Sequence, residues 1–91
     1  MGITIKIPPP LRPLTDGKDK FLVDAGTVRE ALNSLNDTYR EIKPRVFDEK
    51  DEVRRFVNIY INDTDIRALE GLSTPVKSGD VLAIFPAIAG G

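Results

Sequence analysis

A chain of 91 residues is the length of one compact domain, and 41% hydrophobic with 30% charged residues is a globular mixture, not a disordered one. Thirteen Lys plus Arg against fourteen Asp plus Glu leave a net charge of −1, without the basic excess that counterion release on nucleic acid requires. Neither Cys nor His is present, which excludes disulfides, the usual zinc sites, and Ser-His-Asp or Cys-His catalysis.

The first predicted element alternates, with Ile3, Ile5 and Ile7 on one face and Thr4 and Lys6 on the other, the pattern of a half-buried strand. Pro8, Pro9, Pro10 and Pro13 with the Asp16-Gly17 pair end it in a stiff, turned connection. A second strand over Lys20 to Ala25 pairs most economically with the first as an antiparallel hairpin with a long loop.

The period then changes to 3.6. Val28, Leu32, Leu35, Tyr39 and Ile42 share one face of a helix opposite Arg29, Glu30, Asn33, Asp37 and Arg40. Thr27 and Glu30 have capping-box spacing, and Pro44 is expected to end the helix because it pushes the preceding residue out of helical geometry. The acids and lysine of Asp48-Glu49-Lys50-Asp51-Glu52 read as a solvated loop, having neither an EF-hand glycine nor an apolar wall to perturb a carboxylate.

Alternation returns from Phe56 to Asn62, with Val57, Ile59 and Ile61 facing the core and Phe56, Asn58 and Tyr60 facing away. Asn62-Asp63 makes a turn, a short segment through Ile66 and Leu69 returns, and Ser78-Gly79-Asp80 leads into a last strand, Val81 to Phe85. One helix and about five strands make an α+β fold in which the helix covers one sheet face. The other face carries Phe56, Tyr60 and Phe85, either as a partner surface or as cross-strand pairs that only stabilise the sheet.

Pro86 is expected to stop regular structure before Ala87-Ile88-Ala89-Gly90-Gly91. A frayed remnant would be polar, and Ile88 is not. Five extended residues reach about 16 to 18 Å, far enough to carry a terminal carboxylate into another protein's cleft. Without Cβ atoms, Gly90 and Gly91 fit a narrow channel and leave the last carbonyl open to attack. Buried in a partner, Ile88 anchors the tail by roughly 1.5 to 3 kcal/mol.

This order of elements, ending in Phe85-Pro86-Ala87-Ile88-Ala89-Gly90-Gly91, resembles the sulfur carriers of the MoaD/ThiS family, whose tails commonly read Phe-Pro-Pro-Val-Ala-Gly-Gly. The likeness covers nearly the whole chain. It extends to Leu11-Arg12, to Val57-Asn58-Ile59-Tyr60-Ile61-Asn62 with Asp63, and to Gly71-Leu72 before Ser78-Gly79-Asp80. Ala87 and Ile88 depart from the commoner tail, and the Arg55 to Tyr60 stretch looks closest to the carriers that serve cysteine biosynthesis.

The resemblance implies a ubiquitin-like β-grasp fold, a small mixed sheet with one helix on one face, spanning 1–86, and an extended, flexible tail over 87–91. It implies that a separate activating enzyme uses ATP to adenylate Gly91, which then becomes a thiocarboxylate that delivers sulfur to an accepting synthase. On this reading the chain is no enzyme: it carries no catalytic side chain, binds no cofactor or metal, and touches neither nucleic acid nor membrane. Phe56, Tyr60, Phe85 and Pro86 are the implied partner interface, and the cytoplasm, given no targeting or membrane-spanning segment, the expected location. Two alternatives share the chemistry: a small subunit of molybdopterin synthase, and a ubiquitin-like modifier joined to lysines through Gly91.

Overall fold

The computed structural model describes residues 2–86, so the tail calls from Ala87 to Gly91 lie outside the described residues. Five strands form one mixed sheet: β1 (Ile3–Lys6), β2 (Lys20–Val23), β3 (Val57–Ile61), β4 (Thr64–Asp65) and β5 (Val81–Pro86), in the spatial order β2-β1-β5-β3-β4. β1 pairs antiparallel with β2 and parallel with β5, and β3 runs antiparallel to both β5 and β4. The expected hairpin of the first two strands is thus present, with β2 ending at Val23 where Ala25 was expected.

The alternation predicted for β1 and β3 is the observed one. Ile3, Ile5, Ile7, Val57, Ile59 and Ile61 are buried with Leu82 and Ile84 of β5, and the helix α1 (Val28–Thr38) covers them with Val28, Ala31, Leu32 and Leu35. Burying these apolar side chains drives the two layers together. Thr27 starts α1 as predicted: its hydroxyl accepts from the Glu30 N–H at 3.2 Å, while the Glu30 carboxylate reaches one residue further back, to the Gly26 N–H at 2.8 Å.

Three expectations need correction. Pro44 does not end the long helix, which stops at Thr38; it lies in the first turn of a second short helix, α2 (Lys43–Val46), where a missing N–H costs nothing. The proline-rich connection is not merely a turn but a 3-10 segment, Pro9–Thr15, pinned by buried Leu11 and by the Thr15 hydroxyl, 2.9 Å from the Lys18 carbonyl. Pro86 does not stop regular structure but ends β5 in register with Val57. β1 accompanies β5 only to Ala83, so at Pro86 the strand has a neighbour on one side alone, and the absent N–H breaks no ladder.

The Asp48 to Glu52 stretch is the predicted surface loop. Asp48 accepts from the backbone N–H groups of Lys50 (2.8 Å) and Glu52 (3.0 Å), and these two bonds, the Glu52 one foremost, hold its carboxyl below the ordinary value. No metal-binding cluster occurs among the described residues.

Candidate functional site

Helix α1 occupies one side of the sheet and leaves the other bare. On this open side lies a shallow hollow of about 630 Å³, lined by Lys6 of β1, Asn58 and Tyr60 of β3, Asn62 and Asp63 of the β3–β4 turn, and Val81, Ala83 and Phe85 of β5. Apart from Asp63 in the turn, these are the positions whose parity is opposite to the buried strand residues, so the period of two that builds the core also builds this face. Ala83 lies in register between Lys6 and Tyr60, and its small side chain leaves the floor low.

Tyr60 and Phe85 are diagonal neighbours on adjacent strands, and their rings meet edge to face with centroids 5.4 Å apart. The contact does not hide Phe85, which remains 53% exposed at the strand end that leads to the tail. The two rings therefore pair across strands and still leave apolar surface in solvent. Pro86 is half-buried beside Phe85. Phe56 is exposed in the turn that precedes β3 and does not line the hollow, and Pro86, in register with buried Val57, has the parity of the core face, so of these four the structure brings together only Tyr60 and Phe85 on the open side.

The rim of the hollow is held by a polar knot. Asn62, with φ 47°, and Asp63, with φ 76°, form a two-residue hairpin turn of the left-handed kind that asparagine and aspartate tolerate. The Asn62 side-chain amide donates to Asp80 Oδ1 at 2.8 Å, and its carbonyl accepts from the Val81 N–H at 2.9 Å. Asp80 also accepts from the Lys77 N–H at 2.9 Å, and the Lys77 and Asn62 bonds, in that order, hold its carboxyl below the ordinary value. Gly79, at φ 92°, supplies the tight turn that delivers Asp80 to this position.

Sequence reading singled out the aromatics of this face but not Lys6, Asn58 or Ala83. Their outward parity was legible; what brought them together was the pairing of β5 with β1 on one side and with β3 on the other.

A family profile described as the ThiS family matches residues 5–91. The chain belongs to the ThiS family. The sulfur carrier protein CysO of Mycobacterium tuberculosis is 39% identical to it over 93 aligned positions, covering the whole of both chains. Among solved structures, a chain of the BexX/CysO complex of Amycolatopsis orientalis superimposes with a TM-score of 0.90 at 39% identity, covering 98% of this chain and 99% of that one. The small archaeal modifier protein 1 of Methanosarcina acetivorans does so with a TM-score of 0.85 at 34% identity, covering 99% and 96%. The fold is thus the ubiquitin-like β-grasp expected for this ThiS-family member, a mixed five-stranded sheet with its helices on one side. No helix among the described residues is long and apolar enough to cross a membrane.

Proposed function

We infer that this chain is a cytoplasmic sulfur carrier of the CysO type, a protein cosubstrate whose reacting group is the carboxylate of Gly91 and whose catalysis is supplied by partners. The observation that carries the reading is a family match that runs through the final Gly90-Gly91, together with whole-chain likeness to CysO. The composition supports it: a chain without Cys or His has no side-chain sulfur nucleophile or imidazole base, and a main-chain carboxyl needs neither.

The chemistry follows from the weakness of a carboxylate as an electrophile. An activating enzyme that binds ATP joins a Gly91 oxygen to the α-phosphorus and releases pyrophosphate, leaving an acyl-adenylate. A sulfide-level nucleophile then forms a C–S bond at the carbonyl carbon, the C–O bond to AMP breaks, and a thiocarboxylate remains for the accepting synthase. ATP belongs to the activating enzyme and not to this chain. Phe85 and Tyr60 on the open face, with Pro86 next to Phe85 and exposed Phe56 near the same end, dock that enzyme, while Ala87, Ile88, Ala89 and Gly90 thread the carboxylate toward its active site.

Likeness to a small archaeal modifier protein favours a second use of the same activated carboxyl, transfer to a lysine amine. Intact-mass measurement separates the two. A chain heavier by the exchange of one oxygen for sulfur marks carriage, and a branched Gly-Gly on target lysines marks modification. The primary test is ATP–pyrophosphate exchange with the activating enzyme of the source organism. Deleting Gly91 abolishes exchange and leaves Tm within about 1 °C, because a glycine has no side chain to bury. Undiminished exchange by the shortened chain overturns the reading.

A further inference from the structure

Positions 6 and 20 face each other directly across the β1–β2 pair, and both are lysine. Like charges placed opposite on a sheet destabilise it. Both side chains are exposed, and among the described residues neither takes part in an ion pair or a side-chain hydrogen bond. Nothing among the described residues relieves the repulsion.

The two lysines open a row that crosses all five strands in register: Lys20, Lys6, Ala83, Tyr60, Asp65. Cations stand at one end, a small apolar residue in the middle, and an acid at the other end, where Asp63 adds a second on the rim of the hollow. Asp65 is paired with Arg67 at 3.4 Å, whereas no ion pair among the described residues engages the lysine end. A partner seated on Ala83, Tyr60 and Phe85 therefore meets two adjacent positive charges beside the apolar floor.

We propose that the partner which activates Gly91 sets an acidic side chain over the Lys6–Lys20 pair and an apolar one over Ala83, so that the lysines decide which way round it sits on the open face. This rests on the carrier reading above. A carboxylate there offsets a repulsion that the free fold carries, and charge pairs of this kind act on encounter rate and register. The reversed seating brings the same acid toward Asp63 and an Asp65 that Arg67 already compensates, an end whose remaining charge among these three groups is the single negative one of Asp63.

Lys20→Glu tests this, because it turns a repelling cross-strand pair into an attracting one while reversing the charge offered to the partner. The expected result is a Tm raised by about 1 to 4 °C. At the same time KM for the carrier in ATP–pyrophosphate exchange rises about five- to tenfold at low salt, with kcat unchanged. At about 0.5 M salt the difference in KM closes, since the pair is exposed. Lys20→Gln moves KM in the same direction by a smaller step. A stabilised Lys20→Glu with wild-type KM overturns the proposal, as does a wild-type KM indifferent to salt. If the wild-type chain supports no exchange, the carrier reading fails first and the docking proposal with it. If the wild type sediments as a dimer that Lys20→Glu dissociates with KM unchanged, the row serves a second copy of this chain and the proposal is likewise overturned.

Discussion

Asp80 shows how much one side chain organises here. It takes the Lys77 N–H on one oxygen and the Asn62 amide on the other, tying the turn before β5 to the turn after β3 at the rim of the open face. Its pKa lies below the ordinary 3.8, so the ionised form is favoured by folding. Stability from this group is therefore fully present above the unfolded pKa and is lost as pH falls through the lower, folded one. Asp48, depressed for the same reason, acts in the same direction. Replacing Asp80 with Asn is expected to lower Tm at neutral pH and to flatten the fall of Tm between about pH 4 and pH 2. Thermal melts of both proteins across that range check it, and an unchanged acid limb would contradict the assignment. The Ser78-Gly79-Asp80 and Asn62-Asp63 turns were legible from residue type. The bond between them was not, because it joins positions 18 apart in the chain through side chains whose spacing carries no period.

Among the elements, α1 was the most legible at its start and the least at its end. The Thr27 hydroxyl and the Glu30 carboxylate satisfy backbone donors that would otherwise be orphaned, a purely local requirement. Thr27→Ala is expected to cost about 1 kcal/mol, a fall in Tm of about 4 to 8 °C for a domain of this size, with no change in KM toward the activating enzyme. Differential scanning calorimetry beside the exchange assay measures both. At the other end, Ile42 sits in the periodic stripe and is fully buried, yet it belongs to the link before α2 and not to α1. The hydrophobic period continued across a break that only packing reveals, and Tyr39, at the break, turns its ring edge onto Phe21 of β2 with centroids 6.0 Å apart. Pro44 was read as the stop of α1 because a proline disfavours helical geometry at the residue before it, yet Lys43 is itself helical and the proline suits the first turn of α2.

At the scale of the whole molecule, the packed core and the proposed docking face lie on opposite sides of one sheet. Leu32 of α1 is almost fully buried, and Leu32→Ala is expected to cost about 2 to 5 kcal/mol, a large part of a small domain's stability. Phe85→Asp, on the open side, is expected to leave Tm within a few degrees while raising KM for the carrier at least tenfold. Urea denaturation and exchange kinetics on the two variants settle the division, and a Phe85→Asp protein with wild-type KM would show that the open face is not the contact. The amino-acid sequence by itself determined the strands with their inward and outward faces, the start of the helix, the turns, and the Gly90-Gly91 ending, because each depends on residues within a few positions of one another. Only the tertiary structure decided that β1 lies parallel to β5, that Lys6 therefore borders Ala83 and the Tyr60–Phe85 pair, and that two lysines 14 positions apart stand face to face. Strand partners are chosen by the burial of the whole core, a sum over distant residues that no local pattern contains.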